Sequence, residues 1–221
     1  MPGRTLSIVG IAFCAGALMT ASLSSRAART GATHASEEVG TAGRDARDER
    51  PPAGLPVPSG PRRDAPASGE AIAALASRAL EVPIEDADVS RWKGAFYEER
   101  GGHRHEAVDI LAPRNTPIHA VDAGVIAKLF SSKAGGLTVY QRDPTNRFIY
   151  YYAHLERYAD VHEGQQVSRG DVLGYVGTSG NAPANTPHLH FAILELRDPA
   201  RWWEGTPLDP YEVYEAQRPQ H

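Results

Sequence analysis

Cysteine is nearly missing from this chain: among 221 residues there is one, Cys14. No disulfide can form within the chain, and a metal site beyond the N-terminal stretch has to be built from histidine and carboxylate rather than thiolate. Positive charge is also in short supply. Lys and Arg number 23 against 27 Asp and Glu, for a formal net charge of −4 and a pI near 6.1. Such a balance offers no basic face to neutralise a nucleic-acid backbone, so nucleic acid is set aside as a partner. Large apolar residues are sparse in the first third, which leaves material for one folded domain after it. There is no repeat of solenoid type.

The N-terminus does have one apolar run. Residues 6–23 (LSIVGIAFCAGALMTASL) carry no charge and follow Arg4, as an export signal or a membrane anchor would. Ser25-Arg26-Ala27 has the small-x-small form of a cleavage site, whereas Arg26 and Arg29 blur the charge asymmetry that sets orientation. A cleaved signal within residues 1–27 and a retained tether through residues 6–23 both stay open. Either places the protein outside the cytoplasm, in the periplasm or cell envelope. Lipidation of Cys14 is disfavoured by Phe13, which stands where a small residue is needed. Residues 28–68 are Ala, Gly, Arg, Asp, Glu and Pro with few β-branched or aromatic side chains, a composition predicted to stay disordered. A tether of ~45 such residues reaches on the order of 35–40 Å. Residues 69–100 form the expected lead-in, with Ile72, Leu75, Ala76 and Leu80 at helical spacing before Pro83.

From residue 101 to about 215 the texture changes to short runs of Val, Ile, Leu, Tyr and Phe between Gly, Pro, Asn and Asp, which predicts a mainly β domain. The expected strands are 105–111, 117–130 with a turn at Asp122-Ala123-Gly124, 137–142, 148–154, 172–176 and 188–196. Residues 178–187 (TSGNAPANTP) read as an exposed loop. Loops 131–136, 143–147 and 178–187 are expected to wall a groove.

Nine histidines are present, and the chemistry turns on which can converge with a carboxylate. His105 and Asp109 are four apart, and an even separation in a strand keeps both on one face. His188 and His190 share a face by the same rule. Two imidazoles and a carboxylate, with a fourth position open to water, are what catalytic zinc uses. His103 would share the face of His105, as a substrate contact or a surface residue. Trp202 and Trp203 suit either a sugar-stacking platform or packing. Tyr150, Tyr151 and Tyr152 must split between faces, so at least one can approach the cleft.

Four segments then carry a resemblance. His105-Glu-Ala-Val-Asp109, Tyr152-Ala-His154-Leu, Gly170-Asp-Val-Leu-Gly174 followed by Gly177-Thr-Ser-Gly180-Asn181, and Pro187-His-Leu-His-Phe191 resemble, in order and spacing, the M23 metallopeptidases of lysostaphin-like and LytM-like type. The resemblance spans about residues 101–196. It implies a small antiparallel sheet domain of the LytM-like type and one zinc ion held by His105, Asp109 and His190, with His154 and His188 as catalytic histidines that do not bind the metal. It also implies hydrolysis of amide bonds in peptidoglycan peptide stems or cross-links. Ala107, Asn115 and Ala192 depart from the usual glycine, glycine and glutamate, and none of these removes a ligand. Two other functions remain: a wall-binding or hydrolase-activating module without catalysis, and a metalloprotease of ordinary proteins.

Overall fold

The computed structural model describes residues 69–219. The expected signal or anchor, the linker and Cys14 lie outside the described residues. Among the described residues no helix is long and apolar enough to cross a membrane.

The architecture is mainly antiparallel β, as its alternating segments predict. One small pair, β1 (Glu99–Arg100) and β2 (His103–Arg104), stands apart from a nine-stranded sheet. The large sheet contains β3 (Val108–Leu111), β4 (Pro117–His119), β5 (Gly124–Ser132), β6 (Gly136–Arg142), β7 (Phe148–Tyr158), β8 (Gln166–Val167), β9 (Val172–Val176), β10 (His188–Leu196) and β11 (Gly205–Leu208). Its spine runs β11-β10-β7-β6-β5-β8, while β3 pairs with the first half of β10 and β9 bridges β7 to β4. Helices α1 (Gly69–Ala76) and α2 (Pro210–Ala216) flank it.

Side chains alternate across β7 and β10, so the sheet has two buried faces. The back face gathers Phe148, Tyr150, Tyr152, Leu189, Phe191 and Ile193 into the main core. It is covered by Ala71 and Leu75 of α1, by Trp92 and by Val213 and Tyr214 of α2. The front face holds Ile149, Tyr151, Ala153, Ala192 and Leu194 against Tyr140 and Trp202.

The lead-in belongs to the same core. Helix α1 ends at Ala76 rather than at 80 because Ala79 turns left-handed (φ 52°), which breaks the helical ladder. That turn carries Arg78 to Asp122 at 2.9 Å and Asp143 at 2.8 Å. Tyr150 and Arg169 also reach Asp122.

Several boundaries differ from expectation. The strand predicted over 105–111 starts only at Val108, because Glu106 is left-handed (φ 54°). The segment 117–130 divides, as expected, near Asp122, but its second strand runs on to Ser132, and 148–154 extends to Tyr158. Strands β8 and β11 and helix α2 had no clear periodic signal, being only 2, 4 and 7 residues long. Trp202 is buried edge-on against Tyr140, 4.6 Å between ring centroids, and so is a packing residue rather than a stacking platform.

Candidate metal centre

The site lies on the front face where β3, β7 and β10 meet. Register pairs His190 with Asp109 on one side and with Ala153 on the other, so β10 sits between the strands that supply its neighbours. His105 arrives from just outside β3. Its backbone N–H donates to Glu98 O and that of Glu106 donates to Phe96 O, which fix the approach that the left-handed Glu106 turns toward the sheet.

Three ligand atoms form a triangle. His105 Nε2 lies 3.1 Å from Asp109 Oδ1, His190 Nδ1 lies 3.0 Å from the same oxygen, and the two nitrogens are 3.1 Å apart. This group is one that could hold a metal ion. His105 Nδ1 contacts Ala95 O at 3.2 Å, and since a carbonyl only accepts, the ring proton is on Nδ1 and Nε2 presents a lone pair. His190 Nε2 is buried with no hydrogen-bond partner.

Burial and charge act in opposite directions on the groups of that triangle. Burial pushes the pKa of His190 down, against the pull of Asp109. Burial alone would raise Asp109, but the hydrogen bonds and charges of His105 and His190 overcome it and hold the carboxyl well below the usual range. Two imidazoles with one carboxylate are a donor set that matches catalytic zinc. The residues present therefore fit a zinc ion.

Two more imidazoles border the triangle. His154 lies 4.9 Å from His188 and 5.7 Å from His190 between ring centroids, and His188 Nε2 is 3.9 Å from Asp109 Oδ1. His154 Nδ1 donates to Ser179 O and His188 Nδ1 donates to Thr186 O, both at 2.8 Å, which leaves each Nε2 with a lone pair. Burial pushes His154 down to about 4, with the neighbouring histidines adding to the shift, so it is neutral near pH 7.

His154 reaches this face only through a backbone irregularity. Plain alternation after Tyr152 and Ala153 would send it to the back core, but its φ of 62° and the register shift between β6 and β7 turn it forward. The loop at 178–187 completes its seat. Gly180 and Gly136, both left-handed, pack so closely that a Cβ on Gly180 would collide with Gly136 N and Ala134 O. That contact places Ser179 O beneath His154.

Residues 103–210 match peptidase family M23. This stretch is an M23 domain. The chain is 34% identical over 159 residues to an L-Ala–D-Glu endopeptidase of Bacillus subtilis, a match covering 65% of this chain and 47% of that protein. It is 37% identical over 90 residues to the peptidoglycan DD-endopeptidase ShyC of Vibrio cholerae, covering 41% and 20%. It thus spans about half the length of the first relative and a fifth of the second. Among solved structures, the catalytic domain of the M23 protein EnpA from Enterococcus faecalis is 28% identical with a TM-score of 0.43, covering 52% of this chain and 84% of that one.

The structure brings together His105, Asp109, His154, His188 and His190, each singled out in the sequence. His103 is exposed on the hairpin beside the M23 domain's site. Tyr151 is the tyrosine of the three on the front face, buried and 6.0 Å from His190 between ring centroids. Tyr150 and Tyr152 face the back. Of the loops expected to wall the groove, 178–187 does so through Asn181, Ala182, Pro183 and Thr186. The wall opposite is residues 100–106, not 143–147, whose Asp143 points to Arg78. Asn181 lies in a loop the sequence offered as a wall, whereas sequence reasoning missed Arg100, whose Nη1 donates to Asp109 Oδ2 at 2.7 Å. A charged residue before Gly101-Gly102 reads as a solvated turn, and nothing in its spacing signals the contact.

Proposed function

We propose that this protein is an extracytoplasmic zinc endopeptidase that hydrolyses amide bonds in the peptide stems or cross-links of peptidoglycan. The observation that carries the proposal is the triangle of His105 Nε2, Asp109 Oδ1 and His190 Nδ1, with its edges of 3.0–3.1 Å. Those three side chains are the ligands in this reading. Bound by them, a zinc ion would lower the pKa of water toward neutrality and polarise the scissile carbonyl.

The chain's own residues manage the protons. Hydrolysis forms a C–O bond from water to the carbonyl carbon and breaks the C–N bond, so one proton must leave the water and one must reach the amine. His154 and His188 each commit Nδ1 to a carbonyl, which keeps Nε2 out of that contact, and the His188 Nε2 lies 3.9 Å from Asp109 Oδ1. In this reading one of them accepts the water's proton and returns it to the leaving nitrogen, while the other orients the water. Depression of the His154 pKa to about 4 keeps that lone pair available at neutral pH. The groove between residues 100–106 and 178–187 suits an extended peptide. The peptidoglycan-directed names of the relatives support the substrate class, and the apolar run at 6–23 supports export. Residues 1–27 then deliver the protein, 28–68 tether it, 69–100 lead into the domain and 101–215 carry the chemistry.

The test is metal analysis of the purified protein together with mass spectrometry of fragments released from purified peptidoglycan, beside a panel of ordinary proteins. One zinc per chain and peptide fragments with new amine termini are expected. His188→Ala should retain zinc and cut about 10²–10⁴-fold more slowly. A folded preparation that takes up no zinc, or equal release by parent and variant, sinks the proposal.

A further inference from the structure

Arg100 enters the site from a segment that precedes the M23 match at 103–210. It closes β1, and the left-handed Gly101 and Gly102 fold β2 back so that Arg100 pairs with His103. Its Nη1 donates to Asp109 Oδ2 at 2.7 Å and its Nη2 donates to Glu98 Oε2 at 2.9 Å. The side chain is 41% exposed, against 22% for Asp109.

Two cavities flank this guanidinium, of about 280 Å³ and 270 Å³. Arg100, His154 and Asn181 line both. Asp109, Leu111 and Thr186 belong to the first, and His105, His190 and Ala192 to the second. Arg100 therefore stands at the partition between the two halves of the groove, beside the triangle. A guanidinium has five N–H donors in a planar fork, and the two ion pairs engage only part of that fork. The Glu98 pair is exposed at the rim and costs little to exchange. The Asp109 carboxylate is shared, Oδ2 with Arg100 and Oδ1 with the two histidines. Within the groove, then, a fixed cation with spare donors lies next to where a peptide bond would be cut.

We infer that Arg100 is a specificity residue that recognises a free carboxylate on the substrate adjoining the scissile amide, so that acidic peptides are preferred over their amidated counterparts. The inference rests on the peptidase reading above and names its preferred substrate class. Asn181, on the opposite wall, supplies a neutral partner to the same two cavities. A carboxylate entering there exchanges with Glu98 and gains charge-assisted hydrogen bonds, which strengthen away from bulk water.

The experiment uses soluble disaccharide-peptides released from purified peptidoglycan, native or with their carboxylates converted to amides by carbodiimide and ammonia. The zinc-loaded full chain, Arg100→Gln and Arg100→Lys are compared for KM and kcat, and binding is measured by calorimetry in the His188→Ala background. Zinc content is determined for each protein. The parent is expected to bind and cut native fragments about tenfold or more better than amidated ones, chiefly through KM. Arg100→Gln should lose that preference while still loading zinc, its efficiency on native fragments falling about tenfold or more further than on amidated ones, and Arg100→Lys should keep part of the preference. Loss of zinc, or an equal fall on both substrates in Arg100→Gln, would show that Arg100 acts only by holding Asp109 and overturns the inference. Equal handling of both substrates by the parent also overturns it. A parent that neither binds nor cuts any fragment overturns the peptidase reading along with it, whereas the other failures leave that reading intact.

Discussion

The two faces of the central sheet are both buried and both hold polar groups, yet they treat them oppositely. On the back face Asp143 accepts from the backbone amides of Thr145, Arg147 and Phe148 and pairs with Arg78. Tyr152 donates to Gln141 at 2.8 Å and accepts from Val121 N, while Tyr150 reaches Asp122. On the front face His190 Nε2 has no partner, and three ligand atoms crowd one point. Buried polar groups are ordinarily satisfied because desolvation without a hydrogen bond is costly. The back face follows that rule and serves stability. The front face departs from it at His190 Nε2, and on the same face His105 Nε2, Asp109 Oδ1 and His190 Nδ1 converge as a group that could hold a metal ion, which is what makes the M23 domain's site recognisable.

Three aspartates can break or sharpen this contrast. The largest effect is expected at Asp109 on the front. Asp109→Asn keeps the shape but removes the charge, so zinc uptake should fall and peptidoglycan cleavage drop by at least about 10³-fold. Thermal unfolding of the variant should remain cooperative. In the parent, zinc at 100 times its Kd should add about 2.7 kcal/mol to stability, and the variant should lack that gain at the same zinc concentration. An unchanged zinc-dependent rise in Tm in Asp109→Asn would contradict the ligand assignment.

Asp143 should behave in reverse. Asp143→Ala leaves three amides without their acceptor and takes from Arg78 one of its two carboxylate partners, at an expected cost of about 3–5 kcal/mol by denaturant unfolding, with activity per folded molecule preserved. If activity fell while stability held, the division between faces would be wrong.

The smallest effect concerns Asp209, which caps α2 by accepting from Tyr211 N at 2.9 Å. Burial pushes its carboxyl up to about 6, and the cap hydrogen bonds only partly offset this. Its ionised form is therefore disfavoured in the fold relative to the unfolded chain. The stability contributed by the protonated group is complete below about pH 4 and is lost as pH rises through about 6. Asp209→Asn retains an acceptor and does not ionise. It should match the parent below pH 4 and exceed it above pH 6, by on the order of 1–3 kcal/mol. A difference that stays constant between pH 4 and pH 7 would refute the shift.

Much of this was legible in the residues. Strands β9 and β10 begin and end where their apolar runs meet loop residues, and alternation in β10 correctly puts His188 and His190 on one face. The five side chains chosen from the sequence do meet. Two of them do not follow from strand alternation. His105 lies outside a strand and is brought in by the left-handed Glu106, and His154 breaks the alternation that its strand implies. Positive φ at a non-glycine residue leaves no pattern in a sequence, because tertiary contacts impose it. Arg100 and the carbonyls of Ala95 and Ser179 were illegible for a related reason: backbone oxygens carry no residue code, and a lone arginine looks like a solvated charge.

The left-handed turn in β7 has a consequence for how this strand can vary. The bulge delivers to the cleft whichever side chain occupies its one irregular position, so the address is written in the count of residues from Phe148 rather than in their identities. Inserting or deleting a single residue before it would post Ala153 or Leu155 in place of the imidazole. Neighbouring apolar residues can be exchanged for one another, but the length of the segment cannot drift.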